Sequence, residues 1–296
     1  MTLYKYPKIE RYDKVEQYLK EQDTILVQEK VDGSNVSFYY QEGSLVFQSR
    51  NTVIDPNSPG MFQPFIEWVT QLDKFGFLSW MEDGELILYG EMMGNGKIKY
   101  DSWYPFLGFD VYNRYTQAFD PSPHLFFERT RLIPYIEPLY VGEPLPKDSL
   151  VSYLNTHTFG EKSEGIVIKG YNVHGRYAKG PDEYGEFVEP LMGGKIVHDD
   201  YAELKKGKTS IRDASDPITK IMESVVTEAR VAKARQRMYE KGNMSPQPHE
   251  LIKLVATDVM EEEREYIKDQ LFKANGKALS SALAQQVLAL ADKRNE

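Results

Sequence analysis

Through the first 200 residues, apolar positions recur in short runs with a period near two: ILVQEKV at 25–31, VSFYYQ at 36–41, SLVFQSR at 44–50, ELILYGEM at 85–92, FLGFDVY at 106–112 and EGIVIKG at 164–170. Runs of that length, rich in Val, Ile, Tyr and Phe and broken by Gly, Pro and Asn, predict strands. Three longer stretches, PFIEWVTQLDKF (64–75), LFFERTRLIPYI (125–136) and KDSLVSYLNTH (147–157), predict helices set between them. The combination is an α+β pattern, an antiparallel sheet with inserted helices.

Near residue 210 the period changes. Asp216 and Pro217 form an N-cap followed by proline in the first turn, and Ile218, Ile221, Val225 and Ala229 recur at helical spacing until Gly242-Asn243 ends the run. SPQP at 245–248 opens a second helix carrying Leu251, Leu254, Val255 and Val259 and closing near Asn275-Gly276. Leu279, Leu283, Val287 and Leu290 predict a third. The expectation is two domains, a mixed one over 1–209 and a small all-helical one over 210–296, in keeping with a length of 296 residues.

Composition narrows the class. With 41% hydrophobic and 27% charged residues the chain reads as globular, and no stretch approaches the run of about 18 apolar residues that a membrane helix needs. The opening MTLYKYPKIERYDK lacks the apolar core and small-residue cleavage site of a secretory signal, so a cytoplasmic setting is expected, the host cytoplasm if the source is viral. Zero cysteines exclude disulfides and thiolate metal sites, and the five histidines offer no pair at metal-ligand spacing.

The net charge of -9 speaks against a nucleic-acid partner, because phosphate binding draws on Lys and Arg. Its distribution softens that. Residues 1–200 hold 19 Lys and Arg against 30 Asp and Glu, whereas 201–296 hold 17 against 15. The densest basic stretch is Lys205, Lys206, Lys208 and Arg212, then Arg230, Lys233, Arg235 and Arg237. It reads either as a solvated helix face or as a phosphate-binding surface.

The candidate chemistry begins at Gln28-Glu29-Lys30-Val31-Asp32-Gly33-Ser34-Asn35, where a lysine ends one strand and an Asp-Gly turn precedes the next. Taken alone, K-x-D-G is a hairpin turn with an exposed lysine. Further segments follow in order: Gln48-Ser49-Arg50-Asn51, Leu88-Tyr89-Gly90-Glu91-Met92, Phe106-Leu107-Gly108-Phe109-Asp110-Val111, Ser163-Glu164-Gly165-Ile166-Val167-Ile168-Lys169 and Gly193-Gly194-Lys195-Ile196. Gly94-Asn95-Gly96-Lys97 is not a phosphate loop, since it lacks the following Ser or Thr and the earlier glycine spacing.

That ordered set resembles the covalent nucleotidyltransferases, the superfamily of DNA ligases, RNA ligases and mRNA capping enzymes, over roughly residues 28–200. KVDGSN, with asparagine two places after the glycine, is similar to the RNA ligase 2 type found in phage T4 and its relatives, as is a helical C-terminal domain in place of an OB barrel. The resemblance implies an antiparallel-sheet nucleotidyltransferase domain, ATP-grasp-like, followed by the helical one. It implies an ATP-dependent RNA ligase, acting as a monomer, that joins 3′-hydroxyl and 5′-phosphate ends, a nicked duplex among the candidate substrates, with magnesium or manganese as cofactor.

By the same resemblance, Lys30 attacks the α-phosphate of ATP to form lysyl-AMP. Its nitrogen must then be unprotonated, and bringing a lysine from its ordinary pKa of about 10.4 to near 7 takes roughly 4 kcal/mol of desolvation and neighbouring positive charge. Lys169, Lys195 and a metal ion are the candidates for that charge and for steadying the phosphates. Glu91 is implied to hold the ribose hydroxyls and Phe109 to stack on adenine. Arg50 is implied to touch the nucleotide and later the 5′-phosphate, the backbone at Glu29 the adenine edge, and Glu164 a hydrated divalent cation or the adenylylated lysine. Asn35 is implied in handling nucleic-acid ends, or else supports the turn.

One departure stands out. The family usually has two lysines separated by one residue in its last motif, and Lys195-Ile196-Val197 supplies only the first, so either Lys179 or Lys205 substitutes in space or phosphate contacts are reduced. The alternatives are a DNA ligase or capping-type guanylyltransferase on the same catalytic domain, and a non-catalytic protein that binds nucleic-acid ends.

Overall fold

A computed structural model describes residues 2–76, 78–81, 83–94, 96, 98–171, 191–202, 217–243, 245–276 and 280. The chain divides into two compact units, Met1–His198 and Asp199–Glu296. In the first, β1 (Glu10–Arg11) leads into α1 (Tyr12–Lys20), followed by β2 (Ile25–Lys30), β3 (Gly33–Gln41), β4 (Ser44–Ser49), β5 (Val53–Ile54) and α2 (Gln63–Lys74). Then come β6 (Leu86–Met93), β7 (Leu107–Asn113), β8 (Ala118–Phe119), α3 (Pro123–Thr130), β9 (Pro138–Gly142), α4 (Lys147–Ser152), β10 (Gly165–Gly170) and β11 (Met192–Val197). The described part of the second unit holds α5 (Pro217–Val225), α6 (Glu228–Glu240) and α7 (Pro248–Glu262), with residues 264–276 also helical.

The strands form two sheets, ordered β1-β11-β10-β2-β9 and β5-β4-β3-β6-β7-β8. Among the described residues the strand pairings are antiparallel except β1 with β11, and an isolated parallel bridge joins Gly108 to Tyr135. The mixed, antiparallel-rich class expected from the strand runs is what the first unit has. The Asp-Gly turn is not a hairpin, however. β2 pairs with β10 and β9 while β3 pairs with β4 and β6, so Val31-Asp32 carries the chain from one sheet to the other. Gly33 is needed at the landing point, because a Cβ there would sit 2.4 Å from the Met92 carbonyl oxygen. The true hairpin lies one strand later, where Glu42 (φ 53) and Gly43 (φ 74) give the double positive-φ turn that matches strand twist.

Strand alternation gives each sheet a greasy outer face and a mixed inner one. On the five-stranded sheet, Ile25, Val27, Ile166 and Ile168 pack outward under Tyr12, Val15 and Leu19 of α1. On the six-stranded sheet, Phe38, Leu88 and Val111 pack outward under Phe65, Ile66 and Val69 of α2. Each of these fully buried side chains contributes about 1.5–3 kcal/mol by leaving water. Between the sheets lies a third cluster, built on Tyr6, Val31, Tyr39, Tyr89, Leu107, Phe109, Ile136 and Leu191.

Several elements differ from the sequence reading. α1 was not expected: its apolar positions Tyr12, Val15 and Leu19 are few and set among charges. The helix foreseen over 125–136 spans Pro123–Thr130 and ends on Arg131 in the left-handed region (φ 53). The one foreseen over 147–157 is α4 and a 3-10 turn at Tyr153–Asn155. The long helix foreseen from Pro217 to Gly242 breaks at Val226, because the Thr227 Oγ1 accepts from the Arg230 amide at 3.3 Å and starts a new helix. Likewise α7 ends at Glu262 and helix resumes at 264. Asp216 and the third amphipathic segment of Leu279, Leu283, Val287 and Leu290 lie outside the described residues.

Candidate active site

Register decides which side chains meet between the sheets. On the five-stranded sheet Gln28 and Lys195 both sit opposite Val167, and Lys30 and Val197 both sit opposite Gly165. Opposed residues in antiparallel strands point the same way, so Gln28, Lys30, Lys169, Lys195 and Val197 share the inner face. On the six-stranded sheet the partners Asn35 and Glu91, and Ser37, Tyr89 and Asp110, share the face turned toward them. A lysine-bearing surface thus looks across at one carrying carboxylates.

Lys30 ends β2 and is ion-paired through Nζ with the Glu164 carboxylate. Glu164 is buried, and its amide donates to the Lys30 carbonyl at 3.2 Å, so backbone and side chain lock the two residues together. Glu29 takes the opposite direction, as the residue between Gln28 and Lys30 must. Its side chain lies on the α1 side of the sheet and accepts from the Thr158 amide at 2.6 Å, while Oε1 has no partner. Burial pushes the Glu29 carboxyl up, an effect the Thr158 amide and the charge of His157 offset in part. Any contact of Glu29 with a ligand on the inner face is therefore made by its backbone.

Lys169 is buried, and Nζ donates to Asp110 Oδ2 at 2.8 Å, to Gln28 Oε1 at 2.8 Å and to the Phe109 carbonyl at 3.2 Å. The same ammonium lies 4.7 Å from the centre of the Phe109 ring. Burial pulls the Lys169 pKa down, and the charge of Asp110 pushes back. Gln28 is itself held by donating to the Ile136 carbonyl at 2.6 Å. The Phe109 position depends on an irregularity in β7. The pairing passes from Tyr89–Asp110 to Gly90–Gly108, leaving Phe109 as the extra residue of a bulge, so that both it and Asp110 reach Lys169.

At the mouth of this space, the Asp32 amide donates to the Tyr100 hydroxyl at 2.6 Å and Asp32 Oδ2 accepts from the Ile98 amide at 3.1 Å. Those bonds fix the K-V-D-G crossing. Tyr100 is pushed up in pKa chiefly by burial, with the charges of Asp32, Glu29 and Glu164 adding to it, and stays a neutral phenol. Arg50, one residue beyond β4, and Asn35, Glu91 and Lys195 are all half-buried. Among the described residues there is no group of three or more His, Cys, Asp and Glu that could hold a metal by itself.

Of the residues singled out in the sequence, the structure puts Lys30 against Glu164, Lys169 against Phe109, and Asn35 beside Glu91. The ion pair of Lys30 is with the Glu164 carboxylate, and Lys169 is engaged with Asp110. Lys179 and Lys205, the candidates to replace a second lysine, lie outside the described residues, as do Lys206, Lys208 and Arg212. Gln28, Asp110, Tyr6, Tyr100 and Tyr171 were not foreseen. The available signal for two of them was a polar residue inside an otherwise apolar strand, Gln28 in ILVQEK and Asp110 in LGFDVY. The basic stretch also reads differently: Arg230 is buried and paired with Asp258 and Glu263, and Arg237 is paired with Asp258.

A family model described as RNA ligase matches residues 23–179. No curated protein matches the chain. Among solved structures, an RNA ligase of Naegleria gruberi with PPi is similar at 18% identity over 67% of this chain and 57% of that one, with a TM-score of 0.47. An apo mutant of that ligase gives 16% identity, 67% and 56% coverage and a TM-score of 0.49. A mutant with AMP and Mn gives 16% identity, 67% and 57% coverage and a TM-score of 0.48. The present chain spans a little over half the length of those chains.

Proposed function

This chain belongs to the RNA ligase family, and from that footing we propose that it joins RNA ends by an ATP-dependent reaction in three steps. The observation that carries the reading is Lys30 itself, a lysine at a strand end on the inner face, held by one carboxylate rather than sealed in the core. Its nitrogen attacks the α-phosphorus of ATP. The N–P bond forms as the bond to the bridging oxygen breaks, and pyrophosphate leaves with the electron pair. The AMP then passes to an RNA 5′-phosphate, and a 3′-hydroxyl displaces AMP to seal the strand.

Around that step, Glu91 holds the ribose hydroxyls, Phe109 stacks on adenine and the Glu29 backbone meets the adenine edge. Lys169 and Lys195 steady the phosphates, Arg50 contacts the nucleotide and then the 5′-phosphate, and Asn35 handles the RNA ends. Glu164 suits a magnesium or manganese ion that keeps most of its shell as water and phosphate oxygen, since a single carboxylate is a sufficient protein anchor for such an ion. Bound there, the ion would neutralise phosphate charge. The nearby DNA ligase and capping readings are not favoured, because the matching family model is that of RNA ligases.

The same proposal extends to organisation. Residues 1–209 form the adenylylation domain and 210–296 an all-helical domain. The substrate is RNA with 3′-hydroxyl and 5′-phosphate ends, a nicked duplex among the forms, and the chain acts as a monomer in the cytoplasm. Among the described residues no helix is long and apolar enough to cross a membrane.

Incubation with radiolabelled ATP and magnesium tests the first step. The expected result is a label on the protein that is acid-labile and base-stable and that is missing in Lys30→Ala. An unlabelled wild-type protein, or equal labelling of Lys30→Ala, overturns the reading.

A further inference from the structure

Residues 2–6 run across the inner face of the six-stranded sheet, with contacts to β4, β3, β6 and β7 in turn. The Thr2 carbonyl accepts from Gln48 Nε2 of β4 at 2.8 Å and from the Tyr39 hydroxyl of β3 at 2.6 Å. The Tyr4 carbonyl accepts from the Tyr89 hydroxyl of β6 at 3.0 Å. Tyr6 completes the series at β7, donating its hydroxyl to Asp110 Oδ2. Its ring is edge-on to Phe109, with centroids 5.1 Å apart, and also touches Tyr89 and Phe119. Tyr171 donates to the other carboxylate oxygen, Asp110 Oδ1, at 2.6 Å.

Asp110 is fully buried and Lys169 nearly so. A carboxylate in that position with one cation as its only partner would be trapped: removing the cation would leave a buried charge unpaired, which is strongly unfavourable. Here two phenol hydroxyls remain on Asp110 whatever Lys169 does. Meanwhile Lys169 lies over the Phe109 ring, which has only 8% of its surface exposed, so the ammonium covers a ring face that a base could otherwise meet.

We propose that Tyr6 is a positioning residue for Lys169: with Tyr171 it holds the Asp110 carboxylate in place, so that Lys169 can leave Asp110 and Phe109 for a nucleotide phosphate. This rests on the ligase reading above. One movement of Lys169 then does two things, placing a cation on the phosphate and opening the Phe109 ring to adenine. The segment at 2–6 is thereby part of the nucleotide site, although it touches no nucleotide.

The test is single-turnover adenylylation of Lys30 in the full chain across a range of ATP concentrations, for wild type, Tyr6→Phe and Tyr89→Phe. Tyr6→Phe keeps the ring packing and deletes one hydrogen bond to a charged group, so the rate at saturating ATP should fall about tenfold. The ATP concentration for half-maximal rate should change less than twofold, with labelling read well below the thermal midpoint, which falls with the loss of a buried hydrogen bond. Tyr89→Phe removes a bond that anchors the same segment through Tyr4 without touching Asp110, and should label at the wild-type rate. A wild-type rate in Tyr6→Phe, or an equal fall in Tyr89→Phe, overturns the proposal. In either case labelling of the wild-type protein keeps the ligase reading standing, and its absence removes that reading instead.

Discussion

Glu164 meets Lys30 twice, once through its carboxylate on Nζ and once through its amide on the Lys30 carbonyl. Lys30 ends β2 and Glu164 directly precedes β10, so paired neighbouring strands hold the two charges together. On the proposed reading, attack by Lys30 requires that the ion pair part, and a divalent cation held beside Glu164 would give that carboxylate another positive partner. Glu164→Gln removes the charge and keeps the shape. Single-turnover labelling by ATP should drop about 10–100-fold and be partly restored by raising magnesium, as for loss of a group that supports a metal site. Wild-type labelling at low magnesium would show that Glu164 serves no cation.

How much of this was legible in the chain follows from which interactions are local. Lys30, Glu91, Phe109 and Lys169 sit at strand ends or in strand runs whose period shows in the sequence, so their elements could be placed from alternation alone. Which face each side chain takes depends on register. Glu29 and Lys30 are adjacent in sequence and point to opposite sides of the sheet, one to Thr158 and the other to Glu164. The Asp110 cluster draws on residues 6, 28, 110, 169 and 171, and no local pattern joins positions so far apart. The bulge at Phe109 and the break at Thr227 are likewise decided by partners, not by propensity.

Glu29 gives a pH-dependent prediction. Burial raises its carboxyl pKa in the folded protein, so its contribution to stability is full below the unfolded value near 4.3 and is lost as pH rises through the folded value. At neutral pH the buried charge weighs against the fold, with Oε1 unpartnered. Glu29→Gln should therefore melt at a higher temperature than wild type at pH 7.5, with the gap closing as the pH is lowered toward 4. Because only the backbone of residue 29 can face the inner side, labelling of Lys30 should persist. A lower melting temperature at pH 7.5 would contradict the assignment.

Val197 marks the missing lysine, and its place in the ladder says what a lysine there would do. It pairs with Gly165 on the inner face, two residues from Lys195, and is half-buried, so a lysine there would share the face of Lys195. Val197→Lys should add a phosphate contact, lowering the ATP concentration for half-maximal labelling by roughly three- to tenfold at low ionic strength. Titration of ATP in the labelling assay reads this directly. A loss of labelling would mean that the position is closed to a cation.

Arg230 bears on how the helical unit works. Read along the chain, it is one of a basic series that could grip phosphates. Instead its side chain is 1% exposed, with Nη1 against Asp258 and Nη2 donating to Glu263 Oε1 at 2.8 Å, while Arg237 reaches Asp258 Oδ1 at 2.7 Å. The guanidinium joins α6 to α7 and to the Glu263 break, so its charge is spent inside the unit. Arg230→Met leaves Asp258 and Glu263 without that cation and should cost about 3–5 kcal/mol in urea unfolding of the second unit. A phosphate-binding arginine would behave in the opposite way, with unchanged unfolding and an RNA affinity that loses part of its salt dependence. Measuring both on the same variant separates the two roles, and we expect the loss in stability.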